Sequence, residues 1–386
     1  MILMKISYQD ELGKFMTFEH SKFKPVYGWF WYKEGYAPEL VEYAFKSEKI
    51  SDLSSPIILD PFCGTGTSLL CSKEKGYSSI GVDASSLACF VSHVKTQDYS
   101  EEDRSAALAF LDKKLPGGES LRWDFELFSA RAAFPKRNYN EILSLRLGIE
   151  QEESKVRDLL LFALLSILPQ ASIIQKDGGV LKIKREKRAL PAKEIFRRKV
   201  KQMVRELEKV DYFGNSPQIY LGDARALDLE SESIDLVVTS PPYLNNIDYS
   251  KIYGLELSLL EMSKSAAEQM RMRALRSYIG KDMSVSEMPP EVGEIGEKIP
   301  IIGTYFKDME KVIFEMFRVL KSGRSAHINV SNSVIHETHV LVDEVFAEMG
   351  QRIGFSDVEI VVGAERIADV KPSKVKTRES IVIMRK

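Results

Sequence analysis

Pro56-Ile57-Ile58-Leu59-Asp60-Pro61-Phe62-Cys63-Gly64-Thr65-Gly66-Thr67 is the stretch on which the fold turns. Its first five residues form a short apolar run of the kind that makes a buried parallel strand. Gly and Thr follow at once, and an apolar helix then runs through Leu69, Leu70 and Cys71. Ser79-Ile80-Gly81-Val82-Asp83 supplies a second strand, which completes a β-α-β unit. Downstream, further strands are predicted at Gln218–Leu221, Ile234–Val238, Ser325–Val330, Val358–Val362 and Ser380–Met384. A helix from about Tyr305 to Leu320 precedes the third of these, with Lys321-Ser322-Gly323 as its stop signal. Upstream lies an aromatic segment (Phe23, Tyr27, Trp29, Phe30, Trp31, Tyr32, Tyr36), then a helical pattern in which Pro38 takes a first-turn position. Strands alternating with helices predict an α/β fold on a mainly parallel sheet. A mostly helical insertion from about 100 to 212 interrupts it, and residues 263–300, with Pro289 and Pro290, read as loop-rich.

Composition narrows the function classes. Hydrophobic residues at 44% and charged residues at 28% are ordinary for a globular protein. No apolar run is long enough to span a membrane, and the opening Met1-Ile2-Leu3-Met4-Lys5-Ile6 lacks the pattern of a signal peptide. Cys63, Cys71 and Cys89 are odd in number and lack metal-ligand spacing. A reduced, cytoplasmic setting without a metal centre is therefore expected. The net charge of −2 disguises an uneven distribution. From Lys176 to Arg205 twelve Lys or Arg face three acids, a local +9 that leaves about −11 on the remainder. Such a segment either holds a polyanion or is a solvated helix face.

The glycine loop joins a strand to a helix, where open α/β sheets bind their ligands. Gly64 and Gly66 permit tight backbone geometry and close approach of a ligand. Taken alone, they also suit a purely structural turn. A dinucleotide site would want a third glycine where Leu69 stands, and a phosphate-gripping loop would want Lys-Ser or Lys-Thr after the glycines. A nucleoside cofactor without a pyrophosphate fits better, and S-adenosylmethionine is one. Asp83 closes the second strand, where an acid accepts hydrogen bonds from a ribose diol.

Thr239-Ser240-Pro241-Pro242-Tyr243 follows the strand Ile234–Val238 on the same ligand-binding edge. Two prolines fix two φ angles and restrict Ser240 to extended conformations. The result is a stiff loop that aims a hydroxyl, a carbonyl and an aromatic ring at one point. An exocyclic amine on a nucleobase is a poor nucleophile because its lone pair is delocalised into the ring. Acceptors such as the Ser240 hydroxyl and the Pro241 carbonyl draw its hydrogens out of plane, while Tyr243 stacks on a base taken out of the duplex. Attack at cytosine carbon-5 would call for a thiolate, usually after a proline, and no Cys here follows one.

At this point the chain resembles the amino-methylating DNA methyltransferases, the N4-cytosine and N6-adenine methylases of Ser-Pro-Pro-Tyr type. The segment from Pro25 through Trp29, Tyr32, Lys33, Gly35 and Tyr36 to Pro38 and Glu39 is similar to their N-terminal cofactor motif, with Ala37 where a hydroxyl residue is usual. Asp60, Pro61, Phe62, Gly64, Gly66 and Thr67 match the cofactor loop, and Asp83 the ribose-binding acid. Ser240, Pro241, Pro242 and Tyr243 match the catalytic tetrapeptide. Lys376–Met384 looks like the last strand, and Asp223 stands where an acid often lies near the cofactor adenine.

The resemblance implies a Rossmann-like class I methyltransferase fold with a seven-stranded, mainly parallel sheet whose last strand is reversed. It also implies S-adenosyl-L-methionine as cofactor, double-stranded DNA as substrate and base flipping. It admits a cognate restriction endonuclease as a partner. On this basis residues 1–99 carry the cofactor motif and the first half of the catalytic domain. Residues 100–212 form a basic insertion suited to target recognition, and 213–386 the second half, with a loop-rich insertion at 250–300. Lys176-Asp177-Gly178-Gly179-Val180-Leu181-Lys182 resembles a Lys-Asp-Gly element of one branch, which puts phosphate or base contacts on Lys176, Lys182, Lys184 and Arg185. Asn245, Asn246 and Asp248 line a base pocket or satisfy a turn. His327 and Asn329 are expected to be packed or hydrogen-bonded rather than catalytic. Ser rather than Asp before the prolines favours cytosine N4 over adenine N6. An RNA methyltransferase acting on guanine N2 of tRNA, or a non-catalytic nucleic-acid-binding module, are the competing functions.

Overall fold

The computed structural model describes residues 5–32, 34–118, 121–177, 179–210, 214–263, 265–279, 283, 287–370 and 373–386. Met1–Met4, Lys33 and Gly178, which entered the sequence analysis, lie outside the described residues, as does the Asp177 side chain. The N-terminal part holds β1 (Lys5–Tyr8), α1 (Pro38–Ser47), β2 (Ile57–Asp60), α2 (Thr67–Glu74), β3 (Ser78–Asp83) and α3 (Ser86–Thr96). Then come α4 (Glu101–Phe110), α5 (Lys136–Ile149), α6 (Ser154–Ala171), the hairpin β4 (Ile174–Asp177) and β5 (Val180–Ile183), and α7 (Ala192–Leu207). β6 (Gln218–Leu221) and β7 (Ile234–Thr239) return to the sheet, followed by α8 (Tyr249–Ile252), α9 (Gly254–Glu261), α10 (Ala266–Arg273), α11 (Gly293–Lys298) and α12 (Pro300–Val319). The chain closes with β8 (Leu320–Ser331), the small hairpin β9 (Ser333–Ile335) and β10 (Thr338–Val340), α13 (Val342–Ile353), β11 (Asp357–Val370) and β12 (Ser373–Arg385).

Eight strands form the main sheet in the order β1-β11-β12-β8-β7-β2-β3-β6. All neighbours are parallel except those of β12, which runs antiparallel to both β11 and β8. The expected seven strands with a reversed last strand are therefore present, and β1 adds an eighth on the edge. Its four residues carry no apolar run, which is why the sequence did not announce it. β7 is buried along its whole length, as a central strand covered on both faces must be. From β2 the chain winds outward to β3 and β6, then crosses to place β7 on the other flank of β2. That reversal makes the carboxyl ends of β2 and β7 the natural ligand crevice.

Between β3 and β6, α4 to α7 pack around α6, whose apolar residues Leu159–Leu168 face inward on nearly every side. Trp29 and Phe30 from the N-terminal segment meet Phe162 edge-on at 5.7 and 6.0 Å, tying that segment to the helical layer. Two local expectations change. The helix before β8 ends at Val319, and Lys321-Ser322-Gly323 lies inside the strand instead, with Gly323 at a positive φ of 75°. The 263–300 segment is also less irregular than its Pro and Gly suggest, since α10 and α11 lie within it.

Candidate active site

The glycine loop leaves β2 and enters α2 through two left-handed residues, Gly64 (φ 50°) and Gly66 (φ 75°). Gly66 does not line the cleft described below: a Cβ there would meet the Ser92 hydroxyl at 2.9 Å, so its small size serves packing. Asp60 likewise points away from the ligand space. Its side chain is 1% exposed and accepts four hydrogen bonds: from Phe62 N (3.1 Å), Ser68 Oγ (2.5 Å), Thr239 Oγ1 (2.6 Å) and Tyr36 Oη (3.0 Å). Burial pushes this carboxyl above its usual range, and the four donors oppose that shift. Asp60 is thus a tether between the loops rather than a cofactor contact. Asp83, by contrast, lines the cleft. It accepts from Gly64 N and Ser85 N, both at 2.9 Å, and burial pushes it up to about 6. Behind the loop, buried Lys95 donates to the Thr65 carbonyl at 2.9 Å and is pushed down to about 7 by desolvation.

At the end of β7, Thr239 is held by Asp60, and Ser240, Pro241, Pro242 and Tyr243 all line the same cleft. The Pro242 carbonyl accepts a hydrogen bond from Tyr305 Oη at 2.9 Å. The Tyr243 hydroxyl accepts one from Asn329 Nδ2 at 3.1 Å. Asn329 is accordingly a positioning residue on β8, and His327 beside it on that strand meets Glu48 at 3.1 Å. The cleft spans about 1030 Å³, including the open solvent at its mouth, and is shared by the two loops. Tyr32, Pro61, Phe62, Gly64, Thr67, Asp83 and Asp223 border it on the side of the glycine loop. Tyr249, Arg273 and Tyr278 also line it. No sequence motif marks these three. Cys63 lines the cleft as a neutral thiol: burial and nearby Asp83 push it well above its usual range.

A family model described as DNA methylase matches residues 234–384, the stretch from β7 through the tetrapeptide to the last strand. The chain is 28% identical to the Type II methyltransferase M.AvaI of Nostoc sp. over 90% of its own length and 83% of that protein. It is 24% identical to the Type II methyltransferase M.BsoBI of Geobacillus stearothermophilus over 97% and 88%. Residues 234–384 thus match a DNA methylase domain, and along most of its length the chain is similar to these Type II methyltransferases. Among solved structures, a SAM-dependent methyltransferase from Methanosarcina mazei is 11% identical over 87% of this chain and 96% of that one, with a TM-score of 0.31.

The methylase transfers a methyl group from S-adenosylmethionine to an amino group of a DNA base. The cleft suits that cofactor: an acceptor carboxylate for a ribose diol, aromatic and apolar walls, and no phosphate-gripping lysine in the loop. Other sequence-predicted residues fall into two groups. Asp223 lines the cleft, but its carboxylate is clamped by the Arg225 guanidinium at 2.7–3.1 Å. Arg225 continues to Asp308, which also binds Arg276, so the Asp223 side of the cleft is an ion-pair network. Asp248 lines the cleft and caps α8 through Ser250 N at 3.1 Å, whereas Asn245 and Asn246 serve the turn by accepting from Ile247 N and Ile279 N.

Lys176 departs from its expected place. Its ammonium lies 3.8 Å above the Tyr253 ring and 3.4 Å from the nearly buried Glu256, so it is spent inside the protein. Tyr253 stacks on Tyr32 at 4.6 Å and donates to Glu34 at 2.7 Å. Lys176 therefore props a column that ends on Tyr32 in the cleft wall. Lys187, also in the basic run, is used internally on the Pro169 and Ile174 carbonyls. Lys182 and Arg185 remain solvent-facing and Lys184 is half-buried. The hairpin tip adjoins the loop after the tetrapeptide, where a Cβ on Gly179 would lie 3.7 Å from Ile247.

Proposed function

We propose that this methylase is specific for cytosine N4 in duplex DNA. The observation that carries the proposal is the Ser240-Pro241-Pro242-Tyr243 loop at the carboxyl end of β7, facing the same cleft as Asp83. Ser, rather than Asp, before the prolines is what favours cytosine over adenine. Bound S-adenosylmethionine would supply an electrophilic methyl group on a sulfonium. Asp83 would accept the ribose hydroxyls, and Tyr32 and Phe62 would wall the cofactor. Ser240 Oγ and the Pro241 carbonyl would accept hydrogen bonds from the amine, localising its lone pair for in-line attack. Methylation would replace one amine hydrogen, and that proton would pass from nitrogen to water at the cleft mouth. Asn329 and the half-buried position of Tyr243 orient its ring for stacking on the extruded base. The neutral thiol of Cys63 gives no nucleophile for carbon-5 chemistry.

The helical insertion of residues 100–212 and the segment 250–300 would flank the DNA, with Lys182, Lys184 and Arg185 on phosphates. A cognate restriction endonuclease would be the partner in the cell. The test is methyl transfer from labelled cofactor to unmethylated duplex DNA and, in parallel, to bulk tRNA, with the products resolved as nucleosides by mass spectrometry. N4-methylcytosine in the DNA is the expected product. N6-methyladenine would overturn the choice of base, and label confined to tRNA would overturn the substrate.

A further inference from the structure

β11 and β12 run for 14 and 13 residues, whereas the strands bearing the two loops have four and six. Their pairing with the rest of the sheet stops at Tyr8↔Val362 on one side and Glu379↔Ser331 on the other. Beyond that level, apart from Asn332 N donating to the Arg378 carbonyl at 2.9 Å, they pair only with each other, as far as Val370↔Ser373. β11 runs parallel to β7, so this free ribbon leaves the sheet at the carboxyl edge, where the tetrapeptide lies. At about 3.3 Å per residue, the stretch from Ala364 to Val370 projects about 20 Å.

The root of the ribbon is close to the chemistry. Arg366 is paired with Glu379 at 2.7 Å, and both charges act on the Tyr243 phenol. Asn329, which holds the Tyr243 hydroxyl, is in register with Ile381 just inside the root. Further out the ribbon is cationic: residues 367–377 contain three Lys against one acid, while Arg366 and Arg378 at the root are paired with Glu379, Asp343 and Glu344. Lys374 is exposed, and Lys376 has only a solvent-facing pair with Glu365, its side chain 74% accessible. Exposed pairs of that kind are weak and readily exchanged for a phosphate. Ile367 is 66% exposed, unusual for a large apolar residue on a charged arm. A bare two-stranded ribbon with open edges is a liability unless something covers it. The DNA major groove, about 12 Å wide, admits a ribbon of this kind.

We propose that the β11–β12 ribbon is a second DNA-binding arm, laid into a groove of the duplex beside the flipped base, with Lys374 and Lys376 on phosphates and Ile367 against base edges. The proposal rests on duplex DNA being the substrate. It adds a contact surface outside both the helical insertion and the 250–300 segment.

Two variants of the full chain test it: Lys374→Ala with Lys376→Ala, and a shortened ribbon in which 367–376 are replaced by Asn-Gly, a two-residue hairpin turn that keeps the Arg366–Glu379 pair. Duplex binding is read by fluorescence anisotropy across a salt series, alongside cofactor affinity, thermal midpoint and size-exclusion elution. The double substitution should reduce the slope of log Kd against log salt by about 2. The shortened ribbon should weaken duplex binding by about tenfold or more, with cofactor affinity and midpoint unchanged. Wild-type duplex affinity and salt slope in both variants, with methylation intact, would overturn the arm alone. So would a shortened chain that loses only self-association, which would make the ribbon a contact between copies. A wild-type chain that neither binds nor methylates duplex DNA would overturn the substrate assignment and the arm together.

Discussion

The glycine loop and the tetrapeptide loop leave adjacent parallel strands and face one cleft, yet they are stiffened by opposite means. The first obtains its shape from left-handed glycines and from side chains behind it: Asp83 on Gly64 N, Lys95 on the Thr65 carbonyl. The second is stiff in its own covalent structure, because two prolines leave few dihedrals to choose. A loop shaped by its surroundings can close on a cofactor that must enter and leave. A loop stiff in itself suits the presentation of acceptors at fixed spacing to an amine. Asp60 joins the two, with Tyr36, Ser68 and Phe62 on one side and Thr239 on the other.

Breaking that join should have the largest effect. Asp60→Ala leaves buried donors in both loops without an acceptor, at a cost of about 3 kcal/mol or more. A fall of several degrees in thermal midpoint, with loss of both cofactor binding and methyl transfer, is expected from calorimetry and activity assays. Loss of one function without the other would show that the loops are not coupled through this carboxylate.

The second effect belongs to the glycine loop alone. Asp83 is held at about 6 against an ordinary 3.8 by burial. Its protonated form is therefore favoured by folding, a contribution complete below 3.8 and lost as the pH rises through about 6. Cofactor binding has the opposite sign, because the ionised carboxylate accepts the ribose hydroxyls. Affinity for S-adenosylmethionine should weaken as the pH falls through about 6, by up to about tenfold per unit. Asp83→Asn should flatten that profile; a flat wild-type profile would remove Asp83 from the ribose. The smallest effect is expected at Cys63. Cys63→Ala should change kcat by less than about threefold, since a buried neutral thiol has only packing to lose.

Much of this was legible in the sequence because it is local. The strand–Gly–helix transition, the acid closing β3 and the Pro-Pro pair each declare themselves within a few residues. What was not legible depends on distance along the chain. Asp60 reads as a cofactor ligand by its motif, and only its meeting with Thr239, 179 residues away, reveals the tether. Lys176 reads as a phosphate contact because it opens a charge run, but its partners Tyr253 and Glu256 come from α9 and the turn before it. The ribbon went unseen because Glu365-Arg366 and Lys374–Lys376 interrupt the apolar alternation by which its inner halves were recognised. A strand with no sheet face to bury has no reason to alternate.

The central claim, that one loop holds the cofactor and the other activates the amine, is tested most directly on Ser240→Ala by cofactor titration together with single-turnover methyl transfer to duplex DNA. The account predicts cofactor affinity within about twofold of wild type and a transfer rate lower by about 100-fold or more, the scale of losing one positioned hydrogen-bonding group. Equal losses in binding and transfer, or a transfer rate that survives the substitution, would contradict it.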